Sequence, residues 1–414
     1  MPATAFAAGI DVLLSKHRDW LRGRQRVGLL SHQAALDAAG ATAAQRLRRE
    51  LGGRLAALFG PEHGFLGQAG AGVATHTCRH PDWRIPVYSL YGARRRPTPE
   101  MLDGIDVVVC DLQDLGCRCY TYLATLRHLL EAAAEAGKAA IVCDRPVPLP
   151  NIVDGPMLDP AFASFVAPAA LPLATGMTPA ESARWLRREL RLDLDLRVAP
   201  MAGWRREGRR GAGWPEFVPP SPGIRTWESA ATYLATVFSE ALPGIDCGRG
   251  TNLAFRLLGA PWLRAEPFCR RMQAARLAGV RFHPHRYVAG VAPYEGREMD
   301  GVRIAVSDPD RFHPAAVSMH LLHALADQYG AARVWRHAGA RPEWFDKLYG
   351  TGRVRRALLK GEDPGRIVAA WRPESRGYRQ TREDALLYSR ETRNVQRSTL
   401  NSQRSSRCRA ALER

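Results

Sequence analysis

The feature that most constrains the fold is a short apolar run that stops at a turn and then presents two reactive side chains. Residues 54–59 are followed by Gly60-Pro61, a strong turn signal, and then by Glu62 and His63. A run of this length with such an abrupt end is typical of a buried strand. Open α/β sheets bind ligands at the carboxyl ends of their strands, so this strand would deliver an acid and an imidazole to a binding edge.

Apolar runs alternate with helical segments over the first 200 residues. The predicted strands are residues 26–31, 54–59, 85–91, 106–111, 139–143 and 194–199. The predicted helices in this region are residues 42–51, 122–136 and 179–190, and a further helix is predicted beyond it at 228–241. This alternation predicts an α/β fold with a Rossmann-like, mostly parallel sheet in the N-terminal domain.

The pattern changes near Gly248, where a smaller α+β domain is predicted, with a strand at 302–306 and a helix at 315–326. We therefore divide the chain into a catalytic domain at 1–245, an auxiliary domain at 246–390 and a tail at 391–414. The tail is basic and poorly patterned, so it is predicted to be disordered. Residues 199–223 are rich in Gly, Pro, Trp and Arg and are predicted to form a long loop.

Composition narrows the class of protein. Hydrophobic residues make up 46% and charged residues 24%, as in ordinary soluble proteins. No apolar run approaches the roughly 20 residues of a membrane span. The N-terminus lacks the basic start and apolar core of a signal peptide, and the eight cysteines form no C-x-x-C pair. We expect a cytoplasmic protein with reduced thiols and no membrane partner.

The formal net charge of +18 has three interpretations: a solubilising arginine-rich surface, a nucleic-acid partner or an anionic substrate. No helix-turn-helix, zinc-finger or RNA-binding signature is present, so a nucleic-acid partner is not expected. No glycine-rich phosphate loop is present either, and we expect no cofactor. The oligomeric state is left open.

Four of the predicted strands end in polar residues that would meet at one edge of a parallel sheet. These residues are Ser31, His32 and Gln33; Glu62 and His63; Asp111, Gln113 and Asp114; and Asp144 and Arg145. Together they predict a cleft lined by carboxylates, imidazoles and a guanidinium. The alternative is that Asp111 or Asp144 simply caps a following helix, a role in which glutamate is not favoured.

These groups suit glycoside hydrolysis. A glutamic acid in a partly dry pocket can donate a proton to a leaving oxygen at neutral pH, and a second carboxylate then acts as nucleophile or base. Glu62 is the candidate acid, Asp111 and Asp114 are candidates for the second carboxylate, and His63 would orient Glu62 or act itself. A metal-dependent hydrolase built on Asp111, Asp114 and Asp144 is a competing interpretation.

The segment 111–122 is dense in hydrogen-bonding groups. Arg118 has the fork geometry to hold a substrate carboxylate, although an internal pair with Asp114 is an alternative. Tyr120 and Tyr122 offer faces on which a sugar can stack.

An ordered set of motifs, from about Gly9 to Tyr388, resembles the exo-β-N-acetylmuramidases of the NamZ (YbbC-like) type. In the N-terminal half the motifs are Gly60-Pro61-Glu62-His63-Gly64, Val87 to Gly92, Asp111 to Gly116, Arg118 with Tyr120 to Tyr122, Asp144-Arg145-Pro146, Gly176-Met177-Thr178 and Pro219 to Pro222. In the C-terminal half they are Gly248 to Thr251, Gly259 to Trp262, Phe345 to Leu348 and Leu386-Leu387-Tyr388.

The resemblance implies a Rossmann-like domain and a smaller C-terminal domain with the site between them. It implies release of N-acetylmuramic acid from the non-reducing end of peptidoglycan fragments, without nucleotide or metal, with Glu62 as the catalytic acid. The lactyl carboxylate of that sugar suits an arginine-bearing cleft. The expected substrate-binding residues are His32, Tyr91, Arg118, Tyr120, Tyr122, Asp144, Arg145 and Arg249.

The chain departs from the family pattern at several positions of the predicted edge. His32 replaces an asparagine, Val147 follows Asp144-Arg145-Pro146 in place of asparagine, Ala174-Thr175 replaces Arg-His, and Gly223 replaces asparagine. Each lost donor or acceptor weakens binding of a matched sugar group by about 1–3 kcal/mol. The alternative function is therefore a homologue that binds sugars or cell-wall fragments with altered or lost catalysis.

Overall fold

The computed structural model describes residues 5–23, 25–206 and 216–388. A seven-stranded sheet forms the N-terminal part, in the order β3-β4-β2-β1-β5-β6-β7. Its strands are β1 (Val27–Ser31), β2 (Leu55–Gly60), β3 (Cys78–Arg79), β4 (Pro86–Ser89), β5 (Val107–Asp111), β6 (Ala139–Cys143) and β7 (Leu196–Ala199). All neighbours are parallel except β3, which pairs antiparallel with β4. The predicted α/β class is confirmed.

The central strands are continuous apolar runs because both faces of the sheet are covered. Along β5, Val107 and Val109 belong to one hydrophobic core, while Val108 and Cys110 belong to the other. Helices α1 (Gly9–Lys16) and α2 (Ala43–Leu51) pack on the first face. Helices α4 (Tyr122–Glu135) and α5 (Pro179–Glu189) pack on the opposite face, and the short α3 (Pro99–Leu102) precedes β5.

Register aligns the carboxyl ends of the central strands. Leu30 of β1 is level with Phe59 of β2, and Ser31 is level with Asp111 of β5. The residues that follow these strands therefore emerge at one edge of the sheet.

The C-terminal part combines helices with a three-stranded antiparallel sheet in the order β8-β10-β9. Its strands are β8 (Leu257–Gly259), β9 (Val280–Val288) and β10 (Glu298–Val306). Its helices are α6 (Trp227–Thr236), α7 (Ala265–Ala274), α8 (Pro314–Tyr329), α9 (Ala331–Trp335), α10 (Pro342–Tyr349), α11 (Arg353–Leu359) and α12 (Pro364–Arg382). The predicted strand at 302–306 and helix at 315–326 lie within β10 and α8. Helix α6 packs against α8 and β10, although it precedes the predicted boundary at 245.

Among the described residues, no helix has both the length and the apolar character needed to cross a membrane. The seven cysteines that the structure describes are free thiols. The predicted disordered tail at 391–414, and residues 207–215 of the predicted loop, lie outside the described residues.

A buried ion pair between Arg206 and Glu181 anchors the start of α5, and the end of the described chain binds the same carboxylate. Thr178 and Glu181 form a capping box at the start of this helix. The Arg206 guanidinium donates to Glu181. It also donates to the carbonyls of Pro150 and Gly176, and each of these two bonds is 2.7 Å long. The backbone N–H of Leu387 donates to the same carboxylate at 2.9 Å.

Replacing Glu181 with Gln should destabilise the protein strongly. Both side chains of the pair are almost fully buried, so the neutral amide leaves the Arg206 charge uncompensated. We expect a loss of about 3–5 kcal/mol in the free energy of unfolding, measured by urea titration. Glu189→Gln on the exposed side of the same helix is the control. Equal, small effects of the two substitutions would contradict this account.

Candidate active site

A cleft of about 560 Å³ opens between the carboxyl edge of the large sheet and the C-terminal part. We refer to it as the cleft. The residues that line it include Glu62, His63, Gly72, Tyr91, Arg95, Tyr120, Thr121, Phe165, Gly223, Arg225, Glu240, Arg249, Phe255, Trp344 and Lys347. Five of the predicted site residues are brought together here: Glu62, His63, Tyr91, Tyr120 and Arg249.

Glu62 is held in the cleft by donors from two different loops. A Cβ at Gly60 would lie 2.6 Å from the Phe65 nitrogen, so the turn after β2 closes only with glycine there. Glu62 Oε1 accepts from the Gly72 N–H at 2.8 Å, and Oε2 accepts from the Thr121 hydroxyl at 2.7 Å. Its residue surface is 8% exposed, so one carboxyl group is fixed and still borders the cleft.

His63 adjoins Glu62 in the left-handed backbone region, with φ of 72°. Its Nδ1 lies 2.8 Å from the carbonyl oxygen of Ala69. Because a carbonyl only accepts, Nδ1 carries the proton in the neutral ring and Nε2 is left as an acceptor.

Two tyrosines also line the cleft. Burial, followed by the negative charge of Glu62 and a hydrogen bond to it, raises the pKa of Tyr91 to about 12. Tyr91 therefore remains a hydroxyl donor toward Glu62 at neutral pH. Burial likewise raises the pKa of Tyr120, whose ring packs against Tyr122 with centroids 4.7 Å apart.

Glu240 is a second acidic residue of the cleft, and the sequence interpretation did not identify it. It ends a 3₁₀ turn after α6, and its Oε1 lies 3.9 Å from Arg249 Nη1. Burial raises its pKa; the Glu62 charge adds to this, while Arg249 and Arg341 act in the opposite direction. The available signal was a single carboxylate within the apolar run 234–242.

The cleft also carries cations. Arg95, Arg225, Arg249 and Lys347 line it, and Arg95 lies over the Phe165 ring at 4.8 Å. Among the described lining residues, Glu62 and Glu240 are the acidic ones. The cleft can therefore bind an anionic group beside its carboxylates.

Arg118 does not reach the cleft, contrary to the expectation that it binds a substrate carboxylate. It is fully buried, and its guanidinium donates to the carbonyls of Leu171, of Pro156 at 3.1 Å and of Leu348 at 3.4 Å. It does not pair with Asp114 either. Its hydrogen bonds connect backbone segments from both parts of the molecule.

Asp111 and Arg145 are also turned away from the cleft. Arg145 donates through Nε and Nη2 to the two oxygens of Asp111, with the Nη2 bond at 2.9 Å. Both residues are buried, so each satisfies the charge of the other. This pairing leaves neither group available to a sugar in the cleft.

Asp144 and Asp114 accept hydrogen bonds from groups inside the protein. Asp144 accepts from the Thr178 hydroxyl, the Ala180 N–H and the Tyr388 hydroxyl at 2.8, 2.9 and 2.6 Å. It therefore caps α5, which was the alternative stated for it. Asp114 accepts from the Gly116 N–H at 2.8 Å, and burial raises its pKa to about 7.

The predicted trio Asp111, Asp114 and Asp144 does not form a shared metal site. Each aspartate has the separate partners given above. Among the described residues, no group of three or more His, Cys, Asp or Glu side chains is arranged to hold a metal ion.

His32 and Tyr122 lie beneath the edge. His32 Nε2 accepts from the Gln113 N–H at 2.9 Å, and burial, with the charge of Arg145, lowers its pKa to about 3. Tyr122 donates to the Pro220 carbonyl at 2.9 Å and contacts the His32 ring edge-on. Both are buried supports for the loops around the cleft.

The departures from the family pattern fall mostly outside the cleft. Val147 and Thr175 are buried, and the Thr175 hydroxyl donates to the Gly116 carbonyl at 3.0 Å. His32 is buried as well. Of the altered positions His32, Val147, Ala174, Thr175 and Gly223, only Gly223 lines the cleft.

Comparisons with known proteins agree with this architecture. Residues 27–228 match the family model for the N-terminal domain of the exo-β-N-acetylmuramidase NamZ, and residues 231–388 match its C-terminal domain. The peptidoglycan β-N-acetylmuramidase NamZ of Bacillus subtilis (strain 168) is 34% identical over 381 residues, which cover 92% of this chain and 91% of that protein.

Two crystal structures of DUF1343 family proteins from Bacteroides fragilis are similar to this chain. The first has a TM-score of 0.86 at 29% identity and the second 0.72 at 23%, and each match covers 94% of this chain and all of the other. The second supports the fold alone. With two family models spanning almost all of its described residues, this chain belongs to the NamZ family of exo-β-N-acetylmuramidases.

Proposed function

We propose that this protein is an exo-acting glycoside hydrolase that releases N-acetylmuramic acid, or a closely related amino sugar, from the non-reducing end of peptidoglycan fragments. Glu62 is the general acid. The observation that carries the proposal is the fixed carboxyl group of Glu62 in a sugar-sized cleft that also holds Glu240 and four cations. The Bacillus subtilis relative supports the reaction class.

The partners of Glu62 indicate which of its two oxygens would carry the proton that a general acid donates. The Gly72 N–H can only donate, so it keeps Oε1 an acceptor. The hydroxyls of Thr121 and Tyr91 can rotate to accept as well as donate. A protonated Glu62 would therefore carry its hydrogen on Oε2, next to Thr121, and pass it to the glycosidic oxygen of the leaving sugar.

Glu240 is the second carboxylate of the reaction. In its ionised form it acts as nucleophile or as the base that activates water. The Arg249 guanidinium at 3.9 Å favours that form, while burial opposes it. This role replaces the one expected of Asp111 and Asp114, whose oxygens are engaged elsewhere.

Arg249 is also the residue that we assign to the lactyl carboxylate of the sugar. Its side chain is 34% exposed, it lines the cleft, and it lies over the Phe255 ring at 6.0 Å. Arg118 and Arg145, which were expected to share this role, are occupied by backbone carbonyls and by Asp111. Arginine suits the task because its fork matches a carboxylate.

The role of Glu62 as general acid is tested by comparing two substrates whose leaving groups differ in their need for a proton. We expect Glu62→Gln to lower kcat by about 10²- to 10⁴-fold on the disaccharide of N-acetylmuramic acid and N-acetylglucosamine, because its leaving alcohol needs a proton. The loss should be much smaller on 4-nitrophenyl N-acetylmuramide, whose leaving group departs as an anion. Glu240→Gln should lose activity on both substrates. Stopped turnover assays measure these rates.

The exposed Glu298→Gln is the matched control and should retain wild-type rates. Equal losses of Glu62→Gln on both substrates would remove Glu62 from the acid role. If the wild-type protein instead binds muramyl sugars saturably and hydrolyses neither substrate, it is a sugar-binding homologue that has lost the chemistry.

Recognition of the lactyl group is tested at Arg249. Arg249→Met removes a charge-assisted bond, so kcat/KM on 4-nitrophenyl N-acetylmuramide should fall by about 10- to 100-fold relative to 4-nitrophenyl N-acetylglucosaminide, which lacks the lactyl group. Arg286→Met, an exposed position in β9, should change neither value. Parallel losses on the two sugars would show that Arg249 does not read the lactyl carboxylate.

The role of Glu240 predicts a pH dependence. An ionised Glu240 is required, and its pKa is raised above the ordinary 4.5, so kcat/KM should rise with pH along a limb above that value. Arg341 holds the pKa of Glu240 down, so Arg341→Met should move the limb to higher pH. Arg341→Lys keeps the charge and should leave the limb in place. If neither substitution moves the limb, the assignment of the limb to Glu240 is contradicted.

A further inference from the structure

A second cavity lies in the C-terminal part, between α8, α12 and the turn that joins α7 to β9. Its volume is about 860 Å³, and none of its lining residues lines the cleft. Five arginines border it: Arg276, Arg311, Arg372, Arg376 and Arg379. We refer to it as the arginine pocket.

The positive charge of the arginine pocket is not balanced by Asp154, the acidic residue that lines it. The two oxygens of Asp154 accept from the backbone N–H groups of Gly155, Ala315 and Ala316 at 2.8 to 3.0 Å. Among the described residues, no ion pair or side-chain hydrogen bond engages the guanidinium of Arg276, Arg311, Arg372 or Arg376. These four side chains are exposed, so water is their acceptor in the ligand-free protein, and they border one concave surface.

The arginines on α12 repel one another. Arg372, Arg376 and Arg379 recur at intervals of four and three residues, so they project from one face of the helix. Like charges at this spacing destabilise a helix. A bound anion would relieve that repulsion.

An unpaired buried hydroxyl marks the same wall. Ser375 lines the arginine pocket and is 7% exposed, and its Oγ has no hydrogen-bond partner among the described residues. A buried polar group without a partner costs free energy, and in native proteins a water molecule or a bound ligand commonly pairs with it. The Oγ atom is shielded from solvent in the ligand-free protein, so a ligand oxygen would accept from it after the side chain rotates toward the arginine pocket.

We propose that the arginine pocket binds a phosphomonoester carried on a small organic body, such as a sugar phosphate. Guanidinium groups match phosphate oxygens with paired hydrogen bonds. A phosphomonoester carries about −1.5 to −2 charges at pH 7, which suits several unpaired arginines. The volume exceeds what a lone phosphate fills, which leaves space for the organic body.

Calorimetric titration of the full-length protein with glucose 6-phosphate tests the proposal, with glucose, inorganic phosphate and citrate as comparison probes. We expect saturable binding of the sugar phosphate, weaker binding of inorganic phosphate and none of glucose. Arg372→Gln and Arg376→Gln should each weaken the dissociation constant by about 10- to 100-fold. Citrate binding as tight as that of the sugar phosphate would overturn the assignment to phosphate.

Ser375→Ala provides an independent readout. It should weaken binding of the sugar phosphate and leave the thermal midpoint of the ligand-free protein unchanged or raised, because the hydroxyl has no partner to lose. A lowered midpoint would show that Ser375 is paired within the fold, and would overturn its place in the site.

The double variant Arg281→Gln, Arg286→Gln removes two exposed charges of β9 and is the matched control. If it weakens binding as much as the α12 variants, the attraction is that of a basic surface, and the proposal of a defined site fails. Hydrolysis of a muramide should be retained in every variant, since the arginine pocket and the cleft share no residue. The binding titrations do not depend on the function proposed for the cleft, so a failure of that function would leave their outcome unchanged.

Discussion

The carboxyl group of Glu62 is held between the Gly72 N–H and the Thr121 hydroxyl, and the arrangement of the cleft depends on these two bonds. Gly72 belongs to the loop after β2, whereas Thr121 immediately precedes α4, which follows β5. The parallel register of β2, β1 and β5 brings both loops to the same edge. Two hydrogen bonds to one side chain thus convert the alignment of three strands into a fixed position for one carboxyl group.

Burial separates the polar residues of this edge into two groups. In the first group, the charges and hydrogen bonds are satisfied inside the protein. Asp111 pairs with Arg145, Asp144 caps α5, and Arg118 donates to three carbonyls. A buried charge that lost its partner would be costly, so these groups are committed to the fold. Glu62 and Glu240 instead reach the cleft, where a substrate can complete their interactions. The same residue types therefore support the scaffold or face the ligand, according to what surrounds them.

This division explains how far the sequence could be read. Buried strands such as β5 were predicted because continuous apolar runs leave few alternatives, and Glu62 followed from the turn after β2. Strand β9 was missed because it alternates apolar residues with Arg and His and contains Pro284, which weakens a strand signal. The burial of Arg118 depends on carbonyls brought from residues 156, 171 and 348, and no local pattern reports such long-range contacts.

The positions at which this chain departs from the family pattern indicate which property of the cleft differs. The departures at His32, Val147, Ala174 and Thr175 are buried, and the one at Gly223 borders the cleft. Glycine there removes the amide that the family pattern places at this position, and a Cβ would first meet the Phe255 ring at 3.5 Å. The absence of this side chain widens the cleft beside Gly223 and leaves the hydrogen bonds of Glu62 unchanged. Variation at this position would alter which sugar substituent fits beside it, while Glu62 and Glu240 keep their places in the cleft.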